Sequence, residues 1–148
     1  MKNYIFQVIT PKVSSRFVTK VRTSIEGLHA GNIVVADTLD NPIQGNYEVY
    51  SSQIPTTAGL GSKFMAVLVN DNFETLVDGR RPAGNPNYYS YTYNKGETVT
   101  AIFLEKHLMF NVGFDCVSQT SQNLIAVGNY LVPTNNSYEF TAVENVPN

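Results

Sequence analysis

Between Gly96 and Cys116 the chain reads GETVTAIFLEKHLMFNVGFDC, and this stretch decides the fold class. Leu108, Phe110, Val112, Phe114 and Cys116 share one side of a period-two repeat. His107, Met109, Asn111, Gly113 and Asp115 share the other. Such alternation marks a strand with one face in a core. Just before it, Val99, Ala101, Ile102, Phe103 and Leu104 form an evenly apolar run, as a central strand would. With Glu105, Lys106 and His107 dividing the two, the stretch predicts a β-hairpin on which the other strands assemble.

Working outward, the same strand-and-turn grammar recurs. Asn3–Ile9 is a short apolar run broken by Pro11. Asn32–Asp37 follows a turn at Gly27–Gly31, and Tyr47–Ser52 alternates. Phe64–Val69 is apolar on both parities and predicts a strand covered on both faces. Residues 70–87, rich in Gly, Pro and Asn, read as a long loop. Tyr88–Tyr93 reads as a strand with Tyr89, Tyr91 and Tyr93 on one face. Leu124–Val127 and Tyr130–Val132 flank Gly128-Asn129, which predicts a second hairpin. Tyr138–Val143 is a last strand, and the tail 144–148 should fray. The fold class is therefore all-β: one compact barrel or sandwich of about eight short strands over 27–143.

Residues 12–26 read in two ways. Val13, Phe17, Val21 and Ile25 recur at a helical spacing, whereas Lys12, Arg16, Val18, Lys20 and Arg22 share a strand parity. The Val, Thr and Ser content disfavours a helix, which leaves an extended arm or first strands over 1–26.

Only 15% of the residues are charged against 43% hydrophobic, which excludes a disordered chain. The net charge of −2 supplies no global field for nucleic acid. Charge is nevertheless uneven: five of the ten basic residues precede the first acid, Glu26. No apolar run reaches the roughly 20 residues of a membrane helix. The N-terminus has no convincing signal-peptide cleavage region, so synthesis in a cytoplasm is expected.

Chemistry is sparse. Cys116 is the single cysteine, which excludes an intrachain disulfide, and it sits on the apolar parity as a buried thiol. His29 and His107 each lack a second ligand at metal spacing, and both are expected in solvent. Asp37 and Asp40 flank a turn, where Asp bonds locally. Gly59–Lys63 lacks the full phosphate-loop spacing and precedes a strand rather than a helix. No catalytic site, metal or cofactor is expected.

Two features suit partner binding. One is the basic set Lys12, Arg16, Lys20 and Arg22, fit to steer an acidic partner. The other is Tyr89, Tyr91 and Tyr93 beside Arg80 and Arg81, residue types enriched at interface hot spots. The same tyrosines admit an alternative, an oligosaccharide- or single-stranded nucleic-acid-binding module with a stacking platform, although the acidic remainder of the domain disfavours nucleic acid.

The order of the pieces over residues 28–143 resembles the small head-decoration (capsid auxiliary or cement) proteins of tailed bacteriophages. Ala30-Gly31-Asn32-Ile33-Val34 stands where that family opens its domain. Gly96-Glu97-Thr98-Val99-Thr100-Ala101 stands at its central hairpin, and Val127-Gly128-Asn129-Tyr130 at its closing element. Lys106-His107 replaces the usual Gly-Asp turn, and Asn129 replaces a commoner Asp. The resemblance implies a non-enzymatic virion protein made in the host bacterial cytoplasm. Its partner would be the major capsid protein, with self-association on the lattice and no membrane contact.

Overall fold

The computed structural model describes residues 2–9, 17–40, 49–56, 64–69, 91–106 and 108–145. These contain nine strands: β1 (Phe6–Val8), β2 (Val18–Arg22), β3 (Ile33–Val35), β4 (Val49–Ser51), β5 (Met65–Leu68), β6 (Thr98–Phe103), β7 (Phe110–Val112), β8 (Tyr130–Pro133) and β9 (Phe140–Val143). Two 3-10 segments, Phe114–Cys116 and Gln119–Leu124, are the only helical turns longer than a single residue among them. The fold is all-β.

A curled five-stranded sheet, order β3-β5-β6-β2-β4, forms a half-barrel. Its neighbours run antiparallel except β2 and β4, which are parallel. The sheet's two edges approach each other: Val35 and Gln53 exchange backbone bonds of 2.9 and 3.2 Å, and Ser51 N–H donates to Thr38 O at 2.9 Å. Curling lets alternate residues fill the concave side. Val21, Val34, Ala36, Ala66, Leu68, Val99 and Ala101 pack there with Leu28 and Tyr93. The small Ala side chains are what a tightly curved interior admits.

The opposite parity forms a second core on the convex face, from Ile33, Val35, Met65, Val67, Val69 and Ile102. β1 and β7 pair antiparallel and lie over it, contributing Phe6 with Val8, Phe110 and Val112. Phe6 and Phe110 meet at 4.7 Å between ring centroids. β5 is buried at every position, as a strand with a core on each side must be.

The predicted hairpin over 96–116 is not formed. Thr98–Phe103 is the central strand of the sheet, but β2 and β5 occupy both its edges. β7 has no edge left to pair with and crosses to β1 in the covering layer. Its alternation is real, but it faces the convex core from outside the sheet. The pattern ends at Val112, and the 3-10 turn that follows leaves Phe114 exposed and Cys116 buried.

The second predicted hairpin also moves. Leu124 ends a 3-10 segment, and Gly128 (φ 93°) turns the chain into β8, which pairs with β9 through the turn at Asn136. β9 is fastened to the body: Phe140 enters the convex core, Ser118 N–H donates to Phe140 O at 2.7 Å, and Ala142 N–H donates to Ser121 Oγ at 2.9 Å. The 12–26 ambiguity resolves for its second half. Residues 18–22 are an interior strand with Val21 in the core, not an arm.

Candidate interaction surfaces and a buried histidine

Of the residues picked from sequence for partner binding, Lys12, Arg16, Arg80, Arg81 and Tyr89 lie outside the described residues, as do His107 and the 70–87 loop. Lys20 and Arg22 share the convex face of β2, as their parity requires. Lys20 Nζ donates to Thr100 Oγ1 on the neighbouring strand at 2.6 Å. Arg22 Nη1 lies 3.2 Å from Asp40 Oδ2. Part of the basic charge is thus answered within the fold, and Asp40 is an ion-pair partner rather than half of a carboxylate pair with Asp37, which accepts from Thr38 Oγ1.

The tyrosine face is corrected. Tyr93 is 3% exposed, packs in the concave core and donates its hydroxyl to Val69 O at 3.3 Å. Tyr91 is half-buried, meets Tyr93 edge-on at 5.5 Å and donates to Glu97 Oε1 at 2.8 Å. Tyr93 belongs to the core with Tyr91 packed against it, so Tyr93 cannot serve as a stacking platform.

Exposed apolar side chains gather at the C-terminal hairpin instead. Ile125, Val127, Tyr130 and Leu131 are exposed, and Val127 is fully so at the turn. A shallow cleft of about 50 Å³ separates Leu124–Ala126 from Tyr130 and Leu131. β9 carries the burial for this hairpin and β8 stays outside. Phe140 and Ala142 direct their backbone bonds toward Ser118 and Ser121, so their opposite partners, Pro133 and Leu131, direct theirs to the open edge of β8. Pro133 has no N–H to give. Side chains, more than a bare strand edge, are what this surface presents.

His29 was expected in solvent but is buried, at 7% exposure, inside the Gly27–Gly31 turn. Gly27 (φ 88°) and Gly31 (φ 89°) adopt the left-handed conformation on either side and fold the turn inward. The imidazole stacks on Tyr4, with centroids 3.6 Å apart and planes 10° from parallel. Its Nδ1 lies 2.8 Å from Ala30 O, which can only accept, so Nδ1 carries the proton. Asn32 Nδ2 then faces the unprotonated Nε2 at 3.5 Å and also donates to Tyr138 O at 3.2 Å, while Asn32 Oδ1 accepts from His29 N–H at 2.7 Å. Burial lowers the His29 pKa and keeps the ring neutral.

Beside this stack is a polar cavity of about 280 Å³, lined by Lys2, Tyr4, Gly27, His29, Asp115, Val117, Gln119, Gln122 and Glu139. Burial, followed by the charge of Asp115, raises the Tyr4 pKa. Sequence reasoning found the turn but not the cavity. Its walls come from residues more than a hundred positions apart, and nothing in local spacing joins Tyr4 to Glu139.

Compared with known proteins, the chain matches no family, no curated protein and no solved structure.

Proposed function

We propose that the protein is a non-enzymatic virion structural protein that binds the outer surface of a phage capsid and stabilises the assembled head. The observation that carries this reading is the exposed apolar surface of Ile125, Val127, Tyr130 and Leu131 on a hairpin anchored through β9. Clustered exposed apolar side chains on a firmly held element suit a protein partner. Val127 and Tyr130 belong to the segment that resembles the closing element of head-decoration proteins, so the resemblance and the surface meet in the same residues. The residues framing the other resembling segments are built into the half-barrel.

The mechanism is mass action. A partner that binds the assembled lattice and not its free subunits shifts the equilibrium toward the lattice. Contacts repeated over many copies then hold a shell that each contact alone would not. Lys20 and Arg22, on the convex face of β2, add electrostatic steering toward acidic capsomer surface.

The test is co-purification. The protein should band with assembled heads at a fixed ratio to the major capsid subunit, and heads stripped of it should lose DNA at a lower temperature. Recovery of the protein wholly in the soluble fraction, with intact heads free of it, overturns the reading.

A further inference from the structure

The cavity beside the Tyr4–His29 stack lies apart from the residues of the proposed capsid contact and has a chemistry of its own. It forms where the N-terminal segment meets the Gly27–Gly31 turn, the 3-10 segment at Gln119–Leu124 and Glu139. At about 280 Å³ it lies just under the roughly 300–1,000 Å³ of pockets for drug-sized ligands. One compact head group fits, and an oligosaccharide does not.

Its electrostatics select the sign of that group. Among the described lining residues, Asp115 and Glu139 stand against Lys2 alone. Among the described residues neither carboxylate is engaged in an ion pair. His29 adds no charge, since its Nδ1 proton is committed to Ala30 O and Asn32 occupies Nε2. An anion would be repelled. A metal ion would find no group of three His, Cys, Asp or Glu ligands among the described residues.

Its hydrogen-bonding capacity points the same way. Gln122 Nε2 donates to Phe114 O at 3.1 Å and Val117 O at 3.2 Å, which uses both amide protons. Gln122 can therefore offer a ligand only its carbonyl oxygen. Lys2 donates and Gln119 can donate or accept, so the acceptor-rich part of the lining is Asp115, Glu139 and Gln122, against which a donor-rich cation is the matching ligand. Tyr4, in the cavity lining with one face covered by His29, adds an aromatic ring of the kind that attracts organic cations.

We propose that this cavity binds an organic cation, a guanidinium or primary ammonium group, between Asp115 and Glu139 against the Tyr4–His29 stack. The group belongs either to a free small molecule or to a basic side chain of a partner protein.

The experiment is an NMR titration of the full chain with L-argininamide, with neutral L-citrullinamide and inorganic phosphate as controls. Argininamide should give saturable shifts at His29, Asp115 and Glu139, and the controls none. Asp115→Asn and Glu139→Gln should each weaken binding about tenfold or more, the range for a charged hydrogen bond. Glu139→Gln keeps the test sound if Asp115→Asn disturbs the 2.8 Å bond that Asp115 Oδ2 accepts from Asn3 N–H. Lys2→Ala should tighten binding. A blocked Gly-Arg-Gly peptide that binds tighter than argininamide assigns the cation to a protein side chain, and the reverse order assigns it to a free ligand. Absence of saturable argininamide binding, equal binding of citrullinamide, or unchanged affinity in Glu139→Gln overturns the proposal.

Discussion

A Cβ placed on Gly31 would stand 2.6 Å from Cys116 Sγ and 2.8 Å from Cys116 Cβ. The turn that buries His29 and the end of the covering layer are thus fitted to each other without space for a methyl group. Gly31 also holds φ at 89°, where an L side chain is strained. Gly31→Ala should therefore destabilise the fold by about 2–4 kcal/mol, combining left-handed strain with overpacking. Chemical denaturation checks this. In a Cys116→Gly background, which removes both contacted atoms, the second part should largely vanish, leaving the strain of roughly 1–2 kcal/mol. Additive costs would show that Cys116 is not the obstacle.

The same two residues show what the sequence could disclose. Parity places both Phe114 and Cys116 on the core face, yet only Cys116 is buried: the alternation from Leu108 to Val112 reports a buried face whatever partner covers it, but it ends where the 3-10 turn begins. Parity also puts Lys20 and Arg22 on one face, and the evenly apolar run predicts a strand buried on both sides at Phe64–Val69, of which Met65–Leu68 forms β5 and is buried throughout. Neither pattern could say which strands pair. β6 and β7 follow each other closely, yet their hydrogen bonds go to β2, β5 and β1, a choice made by which edges are already taken. His29 was misplaced for a related reason. Gly27 and Gly31 signal a turn, but burial of its middle depends on Tyr4 and Tyr138, which reach it and the flanking Asn32 from opposite ends of the chain. Tyr93 had the composition of an interface residue and proved to be core, because an aromatic with a hydroxyl suits either place until its neighbours are known.

Stability should fall with pH on the acid side through His29. Burial lowers its folded pKa below the ordinary value of 6.5, so the folded state holds fewer protons than the unfolded state as pH falls. The contribution is fully present above pH 6.5 and is lost as pH falls toward the folded pKa. The surrounding groups set the balance: Lys2 lowers the pKa, Asp115 and the Ala30 carbonyl raise it, and burial outweighs them. A proton on Nε2 would also meet the Asn32 amide donor. Urea midpoints measured from pH 7.5 to 5 should decline, and His29→Gln should flatten that decline. An unchanged slope in the variant would assign the acid sensitivity to the carboxylates instead.

Cys116 makes the opposite prediction at alkaline pH. Burial pushes its thiol up to about 11, from an ordinary value of 9.0. The folded state therefore favours the protonated form; that contribution is complete below pH 9.0 and is lost as pH rises through about 11. The thiol lies 3.3 Å from Ala30 O and 3.4 Å from Ile5 O, so it serves as a donor between two carbonyls. Native protein at pH 8 should react with a thiol reagent at the rate of global or local opening, and far more slowly than in urea. Fast labelling without denaturant would contradict a thiol sealed by Gly31 and β1.

The ion pair of β2 separates stability from binding. Arg22 of β2 meets Asp40, in the segment after β3, at the curled edge, but the pair is partly exposed, so Arg22→Gln should cost no more than about 1 kcal/mol. If Lys20 and Arg22 steer the protein to capsomers, Lys20→Glu with Arg22→Glu should slow association with heads, most at low salt. Occupancy insensitive to both salt and charge reversal would remove β2 from the contact.

The hairpin surface gives the sharpest test of partner binding because its key residues contribute little to the core. Val127 is fully exposed and Tyr130 and Leu131 are on the outer strand, so Val127→Asp and Tyr130→Ser should change stability by less than about 0.5–1 kcal/mol each. Phe140, one residue of the partner strand, is buried in the convex core, and Phe140→Ala should cost about 3–5 kcal/mol. The contrast makes the assay readable. Variants at Val127 and Tyr130 that fold normally yet lose about tenfold or more in occupancy on purified heads would locate the contact on this surface, in the range expected of interface hot spots. Full occupancy by both variants would move the contact off β8 and leave the exposed apolar residues without a role in head binding.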